Sequence, residues 1–176
     1  MAYPSDLLYV LIYARGKSMR YNENIPSKTH LQKEMFLLQR RCPFTELNNP
    51  YEFSNLYYNV FSKEIVEDLN AGIELGFISY DNGISLTPQG FKHASTIWAS
   101  LADNYRKTVI QIKEEYNRMT GEQLLSYVYD HYSKFTTKSA LMNGPVDDYF
   151  DKFWKENQLT DSYFAEIVRK SREDSA

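Results

Sequence analysis

The dipeptide Asn82-Gly83 constrains the fold of this chain more than any other feature, because it marks a tight β-hairpin. Both central positions of a type I′ two-residue turn need positive φ angles, which Asn and Gly adopt most readily. The segments 77–81 and 84–87 are therefore predicted to be antiparallel strands. Such a turn sets two pairs opposite each other: Ser79 with Leu86, and Asp81 with Ile84. The predicted inner face consists of three apolar residues: Phe77, Ile84 and Leu86.

Three helices are predicted ahead of this hairpin, in segments 5–13, 27–41 and 62–76. In each segment apolar residues recur at helical spacing, and a serine stands at the start as a capping residue. Gly76 suits the position just after the third helix, where a left-handed residue often ends a helix. The aromatic-rich segment 51–61 is predicted to be extended. The buried face predicted for the third helix consists of four residues: Ile65, Leu69, Gly72 and Ile73.

Three helices that lead directly into a tight hairpin are typical of a winged helix-turn-helix domain, which we place at residues 1–87. Residues 88–176 are predicted to form a C-terminal helical extension. Its first part, 88–118, has an apolar seven-residue repeat, with a break expected near 102–104. The repeat consists of Phe91, Trp98, Tyr105, Ile112 and Met119. A capping box of Thr120 and Gln123 opens a further helix. The predicted fold class is thus mainly α with a small β-hairpin.

The composition is typical of a globular chain that folds without a disulfide or a metal. The 176 residues carry a net charge of −3 and 43% of them are hydrophobic, which excludes a globally basic nucleic-acid binder. The single cysteine, Cys42, suits a reducing compartment. No apolar run approaches the ~20 residues of a membrane helix, and the first residues lack the basic start of a signal peptide. We therefore expect a soluble, cytoplasmic protein.

Charges are distributed unevenly along the chain. The third helix carries one lysine against four acidic residues, of which three are expected on its solvent side: Glu64, Glu67 and Asp68. In a winged helix this helix usually enters the major groove of DNA, where phosphate repels carboxylates. Residues 15–41 carry seven basic and two acidic residues, a net charge of +5. The candidate contacts there for nucleic acid or an acidic partner are Lys28, Lys33, Arg40 and Arg41. An ordinary solvated surface is the competing interpretation.

Signatures of catalysis and metal binding are missing from the sequence. The chain has no Gly-rich phosphate loop and no Gly-x-Ser-x-Gly nucleophile motif. Its three histidines, His30, His93 and His131, lie far apart and lack the spacing of zinc ligands. We therefore expect no enzymatic activity, no catalytic residue, no metal and no small-molecule cofactor.

Several short strings resemble the uncharacterised YwgA-like winged-helix proteins of prokaryotes and, more remotely, the Panacea-type antitoxin domain. These strings span Leu7 to Tyr132 and include Leu31-Gln32-Lys33, Phe36-Leu37-Leu38, Tyr51-Glu52-Phe53, Leu75-Gly76-Phe77-Ile78 and Leu124-Leu125-Ser126-Tyr127-Val128-Tyr129. The sequence departs from the pattern at Asn59-Val60-Phe61, where such proteins often have Gly-Pro. The resemblance implies a winged helix with a regulatory or interaction role, often in mobile-element or defence settings, and it supplies no catalytic residue.

We interpret the chain as a non-catalytic winged-helix module that binds a protein partner or a second copy of itself. The alternative is a DNA-binding transcriptional regulator that uses the basic second helix. A homodimer seam is expected at Trp98, Tyr105 and Ile112, unless this stripe is instead the core beneath the later helices. The uneven charge distribution also favours head-to-tail association or two different partners.

Overall fold

The computed structural model describes residues 6–41, 51–56 and 59–132. Within these ranges the protein is mainly helical, with two small two-stranded antiparallel sheets. The elements are α1 (Asp6–Tyr13), α2 (Lys28–Arg41), β1 (Ser54–Leu56), β2 (Asn59–Phe61), α3 (Lys63–Glu74), β3 (Ile78–Tyr80), β4 (Ile84–Leu86), α4 (Pro88–Ser100), α5 (Asp103–Tyr116) and α6 (Gly121–His131). None of these helices is long and apolar enough to cross a membrane. Cys42 and the predicted helices after residue 132 lie outside the described residues.

Helix α2 lies at the centre of the fold rather than on its surface. Every residue from Lys28 to Leu38 is buried, because α5, α6 and β2 all pack against this helix. Helix α1 is likewise buried from Asp6 to Ile12 and packs against α3, α4, α5 and β4. Apolar side chains from α1 through α6 therefore form one continuous core. The segments on both sides of residue 87 share this core.

The β3–β4 hairpin forms with a register that differs by one residue from the predicted one. Asn82 and Gly83 do have positive φ angles, 54° and 118°. However, Ile78 lies opposite Leu86 and Tyr80 opposite Ile84, so the loop contains three residues instead of two. The amide of Asp81, the extra loop residue, donates to the Gly83 carbonyl at 3.0 Å.

A shift of one residue moves side chains to the other face of a strand. Ile78 is therefore buried, while Phe77, which was predicted on the inner face, is half-buried. The Phe77 ring stacks on His93 of α4 with the ring centroids 5.2 Å apart. The predicted inner positions of Ile84 and Leu86 are confirmed, because both are buried.

The segment between α1 and α2 adds an edge to this hairpin. Ile25 and Ile84 exchange two backbone hydrogen bonds, at 2.9 and 2.8 Å. The predicted extended segment 51–61 contains β1 and β2, which pair with each other between α2 and α3. Backbone pairing thus fastens the connection before α2 to the β3–β4 hairpin, while the connection after α2 folds back on itself.

The apolar repeat of residues 88–118 lies on two helices rather than on one. The chain is extended at Leu101 and Ala102, which separates α4 from α5 close to the predicted break. The Arg106 guanidinium donates to the carbonyls of Trp98 and Ala99, at 3.0 and 2.8 Å. Arg106 thus gives the Ala99 carbonyl a partner at the end of the helix, while the Trp98 carbonyl also accepts from the Leu101 amide. The predicted capping box at the start of α6 is confirmed, since Thr120 and Gln123 exchange both of its hydrogen bonds.

Candidate functional site

Two of the four basic residues predicted as partner contacts are buried. Lys28 is 8% exposed and Lys33 is 0% exposed. The Lys33 ammonium donates to the Val60 carbonyl at 2.8 Å, and burial lowers the pKa of Lys33 well below its usual range. The prediction for Lys33 is therefore corrected. It joins α2 to β2 inside the protein, because α2 is a core helix and not a surface helix.

The other two predicted contacts, Arg40 and Arg41, lie at the exposed end of α2. The Arg40 guanidinium lies 5.3 Å from the centre of the Phe36 ring. Arg41 donates to the Glu115 carboxylate at 3.1 Å and to the hydroxyl groups of Tyr116 and Tyr127. Arg41 thus fastens α2 to α5 and α6. The four predicted basic residues do not form a common surface.

The residues predicted to form a self-association seam are mostly core residues. Ile112 is 0% exposed and Trp98 is 8% exposed, so the prediction for Ile112 is corrected in favour of an intramolecular role. The break between α4 and α5 is the reason, since it turns the two halves of the repeat into separate packing surfaces. Trp98 packs against Tyr13 and Tyr21, with ring centroids 5.6 and 6.0 Å apart. Tyr105 is half-buried.

Helix α3 presents carboxylates to solvent, as predicted for Glu67, which is exposed. Glu64 and Asp68 are half-buried and accept hydrogen bonds, Glu64 from the Ser62 hydroxyl at 2.9 Å and Asp68 from the Tyr51 hydroxyl at 2.6 Å. These two acidic residues therefore also anchor the start of the helix and the segment before β1.

Apolar side chains accompany these carboxylates near the end of α3. Ile73 was predicted to be buried but is 37% exposed, and Leu75 is 63% exposed. Val66 is buried in addition to the predicted Ile65, Leu69 and Gly72. Glu74 is exposed between the two apolar residues. We call these exposed residues the acidic face: Glu67 and Glu74 on one side of the helix, with Ile73 and Leu75 on either side of Glu74.

The loop between α1 and α2 forms a second surface, which the sequence analysis did not single out. Several of its residues are exposed: Lys17, Met19, Arg20 and Tyr21. Met19 is 63% exposed. Its φ angle is 65°, in the left-handed region that non-glycine residues rarely adopt. Such backbone outliers cluster at binding and catalytic sites. We call Arg15, Lys17, Met19, Arg20, Tyr21 and the adjoining Phe91 the basic loop.

Side-chain hydrogen bonds hold this loop in place. Asn22 accepts from the Leu86 amide at 2.7 Å and donates to the Leu86 carbonyl at 3.0 Å. The Glu23 carboxylate accepts from the Ser18 amide and from the Asn117 side chain. The cluster Asn22-Glu23-Asn24 is typical of a loop, but most of these bonds reach residues that are 58 to 94 positions away, so no local signal predicts the arrangement.

A cluster of aromatic rings packs within and against the basic loop. The Tyr13 ring lies 5.2 Å from the Tyr21 ring and 5.0 Å from the Phe91 ring, measured between centroids. Tyr21 and Phe91 remain 44% and 39% exposed. The loop therefore combines cations with partly exposed aromatic rings on a rigid base.

Two buried ionisable side chains lie beneath the loop. The Lys113 ammonium donates to the carbonyls of Ile12 and Ala14, at 2.5 and 2.7 Å, and so caps the end of α1. Burial lowers the pKa of Lys113 to about 7, although Glu34 and Glu23 oppose the shift. Glu34 is 0% exposed, and its carboxyl oxygens have no hydrogen-bond partner among the described residues. Burial raises the pKa of Glu34 well above its usual value, against the effect of Lys113.

Glu34 is expected to make stability depend on pH. The folded protein keeps a proton on Glu34 that the unfolded chain releases above pH 4.5. Between pH 4.5 and the folded pKa, the free energy of unfolding therefore falls as pH rises, by up to about 1.4 kcal/mol per pH unit. We expect Glu34→Gln to lose less stability than the wild type as pH rises from 4.5 towards the folded pKa, in urea titrations. Parallel profiles of the two proteins would contradict this prediction.

The described residues contain no group of three His, Cys, Asp or Glu side chains that could hold a metal ion. The histidines serve different local contacts. His30 bonds Ser27 and the Met119 carbonyl, His93 stacks on Phe77, and His131 stacks on Tyr127.

Comparisons of the chain with protein-family models, with curated proteins and with solved structures found no match.

Proposed function

We propose that this chain is a non-catalytic winged-helix module of a prokaryotic regulatory or defence system, which acts by binding protein. The order of elements supports the winged-helix part of the proposal. Three helices precede the β3–β4 hairpin, and the Ile25–Ile84 bridge occupies the place of the short first strand that pairs with the hairpin of a winged helix. The β1–β2 pair between α2 and α3 is an addition to this plan.

The chemistry of the acidic face carries the functional part of the proposal. Helix α3 is the element that would enter a DNA groove in a winged helix. The carboxylates of Glu67 and Glu74 would repel the DNA phosphates, and they cannot release the counterions whose release favours DNA binding. Ile73 and Leu75 are exposed beside them. Exposed apolar side chains bordered by charges of one sign are typical of a surface that binds an oppositely charged protein.

The DNA-binding alternative depended on basic residues of the second helix. Lys28 and Lys33 are buried, Arg41 is engaged by Glu115, and Arg40 remains exposed at the end of α2. The burial of two of the four cations weighs against DNA binding through α2.

A titration of fluorescently labelled duplex DNA tests the proposal. We expect no saturable increase in anisotropy at low salt, and Glu67→Lys with Glu74→Lys should introduce weak, salt-sensitive binding because the repulsion is removed. Duplex binding by the wild type that persists at high salt and is lost in Lys63→Ala would overturn the proposal. Lys107→Ala, on the exposed side of α5, is the matched control.

A further inference from the structure

We propose that the protein self-associates head-to-tail, with the basic loop of one copy docked on the acidic face of the next. This inference rests on the proposed function and deepens it, because it names the protein partner as a second copy of this chain.

The exposed apolar side chains of the described residues are concentrated on these two surfaces. Met19, Tyr21 and Phe91 belong to the basic loop, at 63%, 44% and 39% exposure. Ile73 and Leu75 belong to the acidic face, at 37% and 63%. One further large apolar residue is exposed, Tyr80, and the Lys28 ammonium covers part of its ring at 4.8 Å. Each surface thus offers apolar area that docking would remove from water.

The charges of the two surfaces are complementary. Lys17 and Arg20 are exposed in the basic loop and Arg15 is half-buried. The one acidic residue of this segment, Glu23, turns inward and accepts hydrogen bonds from Ser18 and Asn117. Helix α3 provides the opposite charge, because it carries one lysine, the exposed Lys63, against four acidic residues. Complementary charge guides encounter and suppresses wrong partners, while the apolar contacts supply affinity.

Both surfaces are rigid before they meet. The hydrogen bonds of Asn22 and Glu23 hold the basic loop, and the Asn24 side chain donates to the Asn82 carbonyl at 3.3 Å. The acidic face lies on a regular helix that packs on α1 and β3. Association therefore orders few groups, which lowers its entropic cost.

Such a contact is heterologous, because each copy uses two different surfaces. This property makes a charge-exchange experiment decisive. One variant combines Lys17→Glu with Arg20→Glu and retains the native acidic face. A second variant combines Glu67→Lys with Glu74→Lys and retains the native basic loop. A mixture of the two variants therefore still contains one native pair of surfaces.

Sedimentation velocity over a concentration series at low salt tests the proposal. We expect the wild type to self-associate and each variant alone to associate at least about tenfold more weakly. We expect the mixture of the two variants to recover association. Lys107→Glu with Arg118→Glu, which changes an exposed cation of α5 and one just after it, is the matched control and should behave as the wild type. Far-UV circular dichroism confirms that the variants, which change exposed side chains, remain folded.

Two results would overturn this proposal: a wild type that stays monomeric throughout the series, or a mixture that does not recover association. Neither result bears on the proposed protein-binding function, which the duplex DNA titration tests separately. Conversely, tight duplex binding by the wild type would overturn the proposed function whatever the state of association.

Discussion

Replacing Gly90 by alanine is expected to unfold the protein. A Cβ atom at position 90 would lie 1.9 Å from the carbonyl oxygen of Phe77 and 2.8 Å from its carbonyl carbon. These are backbone atoms at the start of the β3–β4 hairpin, so no side-chain rotation can make room. The first turn of α4 would have to separate from the hairpin, and we expect a loss of more than about 4 kcal/mol of stability. Urea titration followed by far-UV circular dichroism measures the effect.

Gly121→Ala is the matched control for Gly90→Ala. Gly121 is also in the first turn of a helix, α6, but a Cβ atom there would have no neighbour within 4 Å. Alanine has a higher helix propensity than glycine, so this variant should gain up to about 1 kcal/mol. A Gly90→Ala protein that is as stable as Gly121→Ala would show that α4 does not pack on Phe77 as described.

Lys113→Met is expected to have the second-largest effect. The variant leaves the Ile12 and Ala14 carbonyls buried without their donor, and each unsatisfied group costs about 1–3 kcal/mol. It also removes the positive charge that favours ionisation of Glu34. We expect a loss of about 3 kcal/mol or more in urea titrations.

The control for Lys113→Met lies on the exposed side of the same helix. Lys107→Met should change stability by no more than about 0.5 kcal/mol, since Lys107 is exposed. Equal effects of the two substitutions would contradict the capping role of Lys113. In that case the stability losses of Glu34→Gln and Lys113→Met would also add in the double variant, as they do for residues that do not interact.

Local signals in the sequence predicted most of the secondary structure. The positive φ angles of Asn82 and Gly83, the capping box at Thr120 and the break before α5 all depend on neighbouring residues, and the structure contains each of them. The predicted hairpin register was wrong by one residue, because the register depends on which face of the strand packs against the core. Tertiary packing of Ile78 against Gly72 decides that choice.

The burial of α2 could not be predicted from its composition. Lys33 is a basic residue in a polar helix, and such residues usually face solvent. Its burial depends on an acceptor supplied by β2, the Val60 carbonyl, which is 27 residues away in sequence. The same reason applies to Lys113, whose acceptors lie on α1. Long-range hydrogen bonds of this kind leave no local pattern, so basic residues of the core were mistaken for a surface patch.

The basic loop was not predicted from the sequence, for a related reason. Its cations were counted within the net charge of residues 15–41, but their position depends on contacts with Leu86 and Asn117. These contacts separate Lys17 and Arg20, which remain exposed, from Lys33, which does not. Only Glu67 of the acidic face was predicted, since helical spacing places it on the solvent side without tertiary information, whereas Ile73 was wrongly assigned to the buried side.

A dilution series of two-dimensional amide NMR spectra tests most directly whether the protein binds a second copy of itself through the basic loop and the acidic face. We predict that concentration changes the amide shifts of residues 15–22 and 67–75 together, at low salt, while those of α6 stay constant. Concentration-dependent shifts at Tyr105 and in α6 instead would contradict this prediction. So would shifts that change on addition of duplex DNA but not with protein concentration.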